Sequence, residues 1–112
     1  MLKLLVVEDH AMVREGLLKA VKRVEPGVTP LGAADAAAAL ELLADDDDVD
    51  LVLLDLMLPG TSGMALLGVM RRRFPTIPVV ILSALDDVDT INRALRQGAA
   101  GFIPKSSSTE NM

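Results

Sequence analysis

Polar side chains follow the short apolar runs of this sequence, at the places where buried strands are expected to end. Glu8 and Asp9 follow the first run, Asp55 ends the third, Ser83 follows the fourth and Lys105 comes just after the last. The carboxyl ends of parallel strands meet at one edge of a sheet, where α/β proteins bind their ligands. The sequence therefore predicts a polar site assembled from distant parts of the chain.

The acidic members of this set predict a cation site. Glu8, Asp9 and Asp55 would repel one another unless a cation lies near them. Oxygen ligands suit Mg²⁺, with Mn²⁺ as an alternative. We expect Asp9 and Asp55 to ligate the ion directly, Glu8 to act through water, and Met57 to offer its backbone carbonyl oxygen.

Asp55 is the expected nucleophile of the site. A carboxylate oxygen that the cation leaves free can attack phosphorus and form an acyl phosphate. Lys105 and the cation would offset the charge of the phosphoryl oxygens, and the hydroxyl of Ser83 could donate a hydrogen bond to them. Taken singly, each residue has a simpler interpretation, such as a turn residue or, for Glu8 and Asp9, a helix cap. Their convergence favours phosphoryl chemistry.

Short apolar runs alternate along the chain with stretches in which apolar residues recur at helical spacing. Continuous runs predict strands buried on both faces, and apolar residues three or four positions apart, such as Val13, Leu17, Val21 and Val24, predict helices. Strands are expected at 4–7, 28–33, 51–54, 79–82 and 101–103, and helices at 13–24, 36–44, 64–74 and 86–97. Strands separated by helices imply parallel pairing with right-handed crossovers. One three-layer α/β domain over residues 1–112 follows.

Local signals refine this outline. Pro30 suits an edge strand, and Asp35 can cap the second helix. The capping box Ser107-x-x-Glu110 predicts a fifth helix, of which the chain to Met112 holds less than two turns. We therefore expect a domain that lacks most of its C-terminal helix.

Composition excludes several classes of function. The chain has a net charge of −5 and no cysteine, which argues against a nucleic-acid surface and excludes thiolate chemistry. Its basic run, residues 71–73, suits the end of a helix. The apolar runs are too short to cross a bilayer, so a soluble cytoplasmic protein without membrane contact is expected.

The acidic run at 45–48 and the single histidine, His10, could also be interpreted as metal ligands. The contiguous acids 45–48 lack the alternation of a calcium-binding loop, so a solvated loop is expected. His10, which follows the acidic pair, is expected to be a surface or rim residue rather than a metal ligand.

Four blocks of the sequence resemble the receiver domains of two-component response regulators. They are LVVEDH at 5–10, DLMLPGTSG at 55–63, ILSA at 81–84 and GAAGFIPK at 98–105. The resemblance covers the whole chain and is greatest to receivers that precede a LuxR-type helix-turn-helix output domain. It implies a flavodoxin-like fold, with a five-stranded parallel sheet of order 2-1-3-4-5 and helices on both faces.

The resemblance also implies roles for individual residues. It implies that Glu8 and Asp9 bind the metal, that Asp55 is the phosphoacceptor, that Ser83, Ala84 and Lys105 lie at the phosphate, and that Phe102 is the aromatic switch. A sensor histidine kinase would supply the phosphate. Phosphorylation would reshape the face made by the fourth helix, the last strand and the fifth helix, and would promote homodimerisation. Transcription regulation and DNA binding would belong to the full-length protein, and this domain itself would not contact nucleic acid.

Two other functions compete with a receiver. Phosphatases of the haloacid dehalogenase type also place an aspartate after a strand, but they need a second acid two residues later, where this chain has Met57. A pseudo-receiver would bind partners without phosphorylation. We expect a signalling domain that assists its own phosphorylation and dephosphorylation, not an enzyme.

Overall fold

A computed structural model describes residues 2–46, 48–56, 58, 62–83 and 88–104. The strands are β1 (Lys3–Val7), β2 (Thr29–Ala33), β3 (Leu51–Asp55), β4 (Val79–Ser83) and β5 (Gly101–Pro104), and the helices are α1 (Ala11–Val24), α2 (Ala36–Asp45), α3 (Gly63–Arg73) and α4 (Val88–Arg96). These bounds agree with the sequence-based prediction to within about two residues at most ends. The expected fifth helix lies outside the described residues.

All strand pairs of the sheet are parallel, in the order β2-β1-β3-β4-β5. This confirms the predicted flavodoxin-like order. In the observed register Val7 lies beside Leu54, Asp55 beside Leu82, and Ser83 beside Pro104. The carboxyl ends of four neighbouring strands therefore lie at one edge of the sheet.

The helices cover both faces of the sheet. On one face, α1 packs through Leu17, Leu18 and Val21 against residues of β1, β3 and β4. The prediction that Val13 and Val24 belong to the buried apolar stripe of α1 was wrong, because these side chains are 41% and 83% exposed. At about 100° per residue, these two lie about 65–90° around the helix from the middle of the packed stripe. The larger core lies on the opposite face, under α2, α3 and α4.

The β2 strand forms an edge of the sheet, as Pro30 predicted. The Thr29 amide donates to the Leu2 carbonyl at 2.7 Å, so Thr29 faces β1. Because backbone groups alternate along a strand, the backbone of Pro30 faces away from β1, and the proline interrupts no hydrogen bond between the two strands.

The start of α2 is capped as predicted. Asp35 accepts a hydrogen bond from the Ala38 amide at 2.8 Å.

The acidic segment after α2 is more than a solvated loop. Lys3 Nζ donates to Asp46 Oδ2 at 2.8 Å, and the Lys3 amide donates to Asp50 Oδ2 at 2.8 Å. The Asp48 amide donates to the other oxygen of Asp46 at 3.0 Å. These bonds tie the start of β1 to the segment that leads into β3, which the sequence pattern did not predict.

The bond between Lys3 and Asp46 predicts a pH dependence of stability. The Lys3 hydrogen bond, and next the Asp48 amide, lower the pKa of Asp46 from its ordinary 3.8, so the stabilisation is present above that value and is lost as the pH falls through the folded-state pKa. The same bond raises the pKa of Lys3 above 10.5, so its contribution is lost as the pH rises beyond that range.

We therefore expect Asp46→Asn to lower the free energy of unfolding in urea at pH 7, and the difference from wild type to shrink well below pH 3.8. The two side chains are 31% and 28% exposed, so water screens the pair and the effect is small. Asp45→Asn, which makes the same change in charge at an exposed residue, is the control. A wild-type to Asp46→Asn difference that stays constant from pH 7 to acid pH would contradict this account.

Gly98 ends α4 in a backbone conformation that favours glycine, with φ at +103°. The Ala99 amide donates to the Ala94 carbonyl at 3.0 Å, which is the bond that closes a Schellman turn. A Cβ atom at Gly98 would lie 2.9 Å from Nε of Arg71. The same arginine donates from Nη1 to the carbonyls of Pro75 and Ile77, at 3.1 and 3.2 Å, so it has little freedom to move away.

Gly98→Ala is expected to destabilise the chain by about 1–2 kcal/mol, because the side chain is strained at this φ. Gly16→Ala is the matched control, since a Cβ at Gly16 meets nothing within 4 Å. That change should stabilise by up to about 1 kcal/mol through helix propensity. Urea unfolding of the two variants measures both effects, and equal shifts in the same direction would refute the explanation.

Candidate functional site

Two buried carboxylates lie at the ends of the two central strands. Asp55 ends β3 and is 1% exposed, and Glu8, directly after β1, is fully buried. Since Val7 lies beside Leu54, the following residues Glu8 and Asp55 are neighbours at the edge of the sheet. Two nearby buried carboxylates oppose each other's ionisation and are costly to desolvate. Such a pair is typical of a functional site rather than of a stabilising core.

The backbone of Glu8 is fixed from two sides. Its amide donates to the Ala33 carbonyl at 3.0 Å, which extends the β1–β2 pairing by one residue. Its carbonyl accepts a hydrogen bond from Arg14 Nη1 at 2.8 Å. The sequence did not predict this role of Arg14, because an arginine in the first turns of a helix carries no signal of such a contact. Arg14 therefore helps to hold the acidic segment against α1.

The residues after Glu8 form a compact group of possible metal ligands. One ligand atom from each of Glu8, Asp9 and His10 lies within 4.8 Å of the others. Asp9 Oδ1 is buried and accepts no hydrogen bond from the described residues. His10 Nδ1 lies 3.4 Å from Asp9 Oδ1 and 4.0 Å from Glu8 Oε2. Asp55 does not belong to this group, although its strand end is adjacent.

The possibility that Glu8 or Asp9 caps α1 is wrong. The N-cap residue is His10, whose side chain makes no capping hydrogen bond. Neither acid is therefore the N-cap residue of α1.

The segment after Asp55 is held by an unusually close backbone approach. The Leu56 amide donates to the Leu82 carbonyl at 3.1 Å, and the Gly63 amide donates to the Leu56 carbonyl at 3.2 Å. A Cβ at Gly63 would lie 2.4 Å from Leu56 Cα and 2.7 Å from the Asp55 carbonyl oxygen. Only glycine allows α3 to begin this close to the end of β3.

Ser62 fixes the direction in which α3 starts. Its hydroxyl oxygen accepts hydrogen bonds from the amides of Met64 and Ala65, at 3.1 and 3.4 Å. The predicted helix started at Met64, and its cap was not predicted. The signal was present, because a serine two residues before an apolar helical stripe is a standard helix start.

The remaining predicted site residues are described in part or not at all. Met57, Ala84 and Lys105 lie outside the described residues. The backbone of Ser83 pairs with Pro104 at the end of β4, but its side chain is outside what the structure describes. Phe102, on β5, is half-buried and packs against the larger core. In the sheet it lies beside Ile81 of β4.

The donor set at the acidic pair fits a small divalent cation. Carboxylate oxygens are the ligands that Mg²⁺ and Mn²⁺ take in proteins. The buried oxygen of Asp9 is a polar atom for which a cation would provide the missing interaction. Beside such a cation, the buried carboxylate of Asp55 is a candidate oxygen nucleophile.

Comparison with known proteins gives a consistent picture. A family model described as "Response regulator receiver domain" matches residues 4–112. The glycerol metabolism activator of Pseudomonas putida is 42% identical over 112 residues, which is all of this chain and 51% of that protein. The nitrate/nitrite response regulator NarL of Escherichia coli K12 is 30% identical over 109 residues, or 97% of this chain and 50% of that protein.

A solved structure shares the fold along most of the chain. The crystal structure of a LuxR-family two-component response regulator from Aurantimonas sp. SI85-9A1 superimposes with a TM-score of 0.85 at 30% identity. The match covers 93% of this chain and 74% of that one. The chain spans about half the length of the curated relatives named above.

Gly63→Ala is expected to lower the free energy of unfolding by about 1–3 kcal/mol, because the new methyl group would overlap backbone atoms of Leu56 and Asp55. Gly68→Ala in the same helix is the control, since its Cβ would meet its nearest neighbour at 3.4 Å. That control should be neutral or stabilising. Urea unfolding compares the two, and an equally mild effect at Gly63 would argue against the close approach.

Proposed function

The chain belongs to the response regulator receiver family, and on that premise we propose that it accepts a phosphoryl group on Asp55. The donor would be the phosphohistidine of a sensor kinase. The observation that carries the proposal is the burial of Asp55, 1% exposed, at the end of a central strand beside the fully buried Glu8. A carboxylate in that position adds little to stability and supplies an oriented oxygen.

The transfer step moves one phosphoryl group between two protein side chains. A carboxylate oxygen of Asp55 forms a bond to phosphorus while the bond from phosphorus to the donor imidazole nitrogen breaks. The imidazole keeps the electron pair and takes a proton from solvent. The product is an acyl phosphate on Asp55, which water can later hydrolyse to restore the carboxylate and release inorganic phosphate.

Glu8, Asp9 and Asp55 are the side chains proposed to hold Mg²⁺, together with the carbonyl of Met57, which lies outside the described residues. Mn²⁺ could take its place. When bound, the ion would offset the negative charge that develops on the phosphoryl oxygens. Ser83, Ala84 and Lys105 are proposed to contact the same oxygens. The hold of Arg14 on the Glu8 carbonyl keeps the acidic segment in place for this role.

Phe102 and the α4–β5 surface are proposed to carry the response. Movement of the Ser83 hydroxyl to the phosphate would leave space for the half-buried Phe102 ring to turn inward. Apolar side chains are already exposed on this surface: Val88 is 67%, Leu95 45% and Ile103 43% exposed. Burial of such residues between two copies would favour a homodimer once phosphorylation changes their arrangement.

The wider function is proposed from the relatives. The curated relatives are about twice as long as this chain, and one solved neighbour is described as a LuxR-family regulator. We infer that the full-length protein is a cytoplasmic transcription regulator whose DNA-binding domain lies outside this chain. Within the described residues, no helix is both long and apolar enough to span a bilayer. The role proposed for this domain is signalling without turnover of a separate substrate.

Incubation with acetyl phosphate and Mg²⁺ should add the mass of one phosphoryl group to the chain, and Asp55→Asn should abolish the adduct. The reason is that the amide has no anionic oxygen to attack phosphorus. Intact mass spectrometry under mildly acidic conditions measures the adduct. Asp45→Asn, at an exposed acid away from the strand ends, is the matched control and should still be modified.

The same experiment separates the receiver from its rivals. A folded chain, including a version extended through the fifth helix, that gains no adduct would identify a pseudo-receiver. Continuous release of phosphate from varied phosphate esters would identify a phosphatase. An adduct of equal yield in Asp55→Asn would assign the acceptor to another residue and overturn the proposal.

A further inference from the structure

We propose that His10 supplies a nitrogen ligand to the divalent cation at Glu8 and Asp9, and that this site therefore favours nitrogen-binding transition metals over Mg²⁺. The inference rests on the proposed function, since it concerns the cation of that same site. It assigns a role to the residue that sequence analysis expected only at the rim. The structure places His10 at the rim, with its side chain 71% exposed, yet its ring nitrogen faces the acidic pair.

The donor atoms lie close enough together to contact one ion. Nδ1 of His10 lies 3.4 Å from Asp9 Oδ1 and 4.0 Å from Glu8 Oε2. These separations exceed those of good hydrogen bonds. With metal–ligand bonds of about 2.1 Å, two ligands lie about 3.0 Å apart when adjacent in an octahedron and about 4.2 Å apart when opposite. The observed distances fall between these two values.

The local backbone explains why three consecutive residues can share one ion. The Glu8 amide continues the β1–β2 pairing, and His10 has an extended backbone, with φ −80° and ψ 115°. The chain bends at Asp9, between these two residues. With this bend, one ligand atom from each of Glu8, Asp9 and His10 lies within 4.8 Å of the others before the chain enters α1.

The chemistry of the added ligand determines the selectivity. Mg²⁺ prefers oxygen ligands and keeps much of its water. Imidazole nitrogen suits Ni²⁺, Cu²⁺ and Zn²⁺, and affinity at mixed sites rises from Mn²⁺ towards Cu²⁺. An all-carboxylate site would show this rise less strongly. His10 should thus increase the affinity for Ni²⁺ while leaving that for Mg²⁺ nearly unchanged.

His10→Ala is a clean test variant, because the exposed side chain makes no capping bond to α1. Calorimetric titration should show that the variant binds NiCl₂ about tenfold or more weakly, with MgCl₂ affinity changed by less than about threefold. His10 is also the only histidine in the chain. In tag-free protein loaded with MnCl₂, pulsed electron paramagnetic resonance should detect a directly bound imidazole nitrogen that is absent in His10→Ala.

The outcomes separate this inference from the proposed function. If manganese binds without a nitrogen coupling, or Ni²⁺ affinity is the same in His10→Ala, His10 is not a ligand and the inference fails. If acetyl phosphate with Mg²⁺ still modifies Asp55 in that case, the receiver function stands. If neither Ni²⁺ nor Mn²⁺ binds at millimolar concentration, the inference is equally overturned. Loss of the Asp55 adduct alone, with the nitrogen coupling intact, would overturn only the receiver function.

Discussion

The burial of Glu8 and Asp55 side by side is the constraint on which the rest of this structure depends. Two carboxylates next to each other and away from water are unfavourable, so the fold must supply enough stability elsewhere to retain them. It does so with aliphatic strands, since β1, β3 and β4 are buried through most of their length and sit between two layers of helices. The same strands end in register, which puts the acids together.

The chain beside each of the two acids is held through its backbone. Gly63 lets α3 start against the end of β3, and Arg14 binds the carbonyl of Glu8 from α1. Both contacts act on the main chain beside an acid and leave its carboxylate oxygens untouched. The cation binding and phosphoryl transfer proposed for this site would benefit from this arrangement, because the scaffold would stay rigid while the ligands change.

Much of the fold could be predicted because its signals are local. Continuous apolar runs predicted the buried strands, Asp35 predicted the start of α2, and Pro30 predicted that β2 is an edge strand. The errors came from contacts between distant or unpatterned groups. The Lys3 bond to Asp46 and the Arg14 bond to Glu8 depend on three-dimensional placement, and no spacing rule reports them. Val24 was predicted to be buried in α1 but is exposed, because apolar character alone does not determine which side of a helix packs against the sheet.

Pro30 has a consequence for the behaviour of the protein in a crowded cell. At the outer side of β2, alternation leaves Gly32 as the remaining outward amide donor of the strand, because Pro30 has none. A foreign strand that approached this edge would find too few donors to form a continuous ladder, and the risk of aggregation through strand addition falls. A single proline on the outer side of β2 thus protects this edge of the sheet.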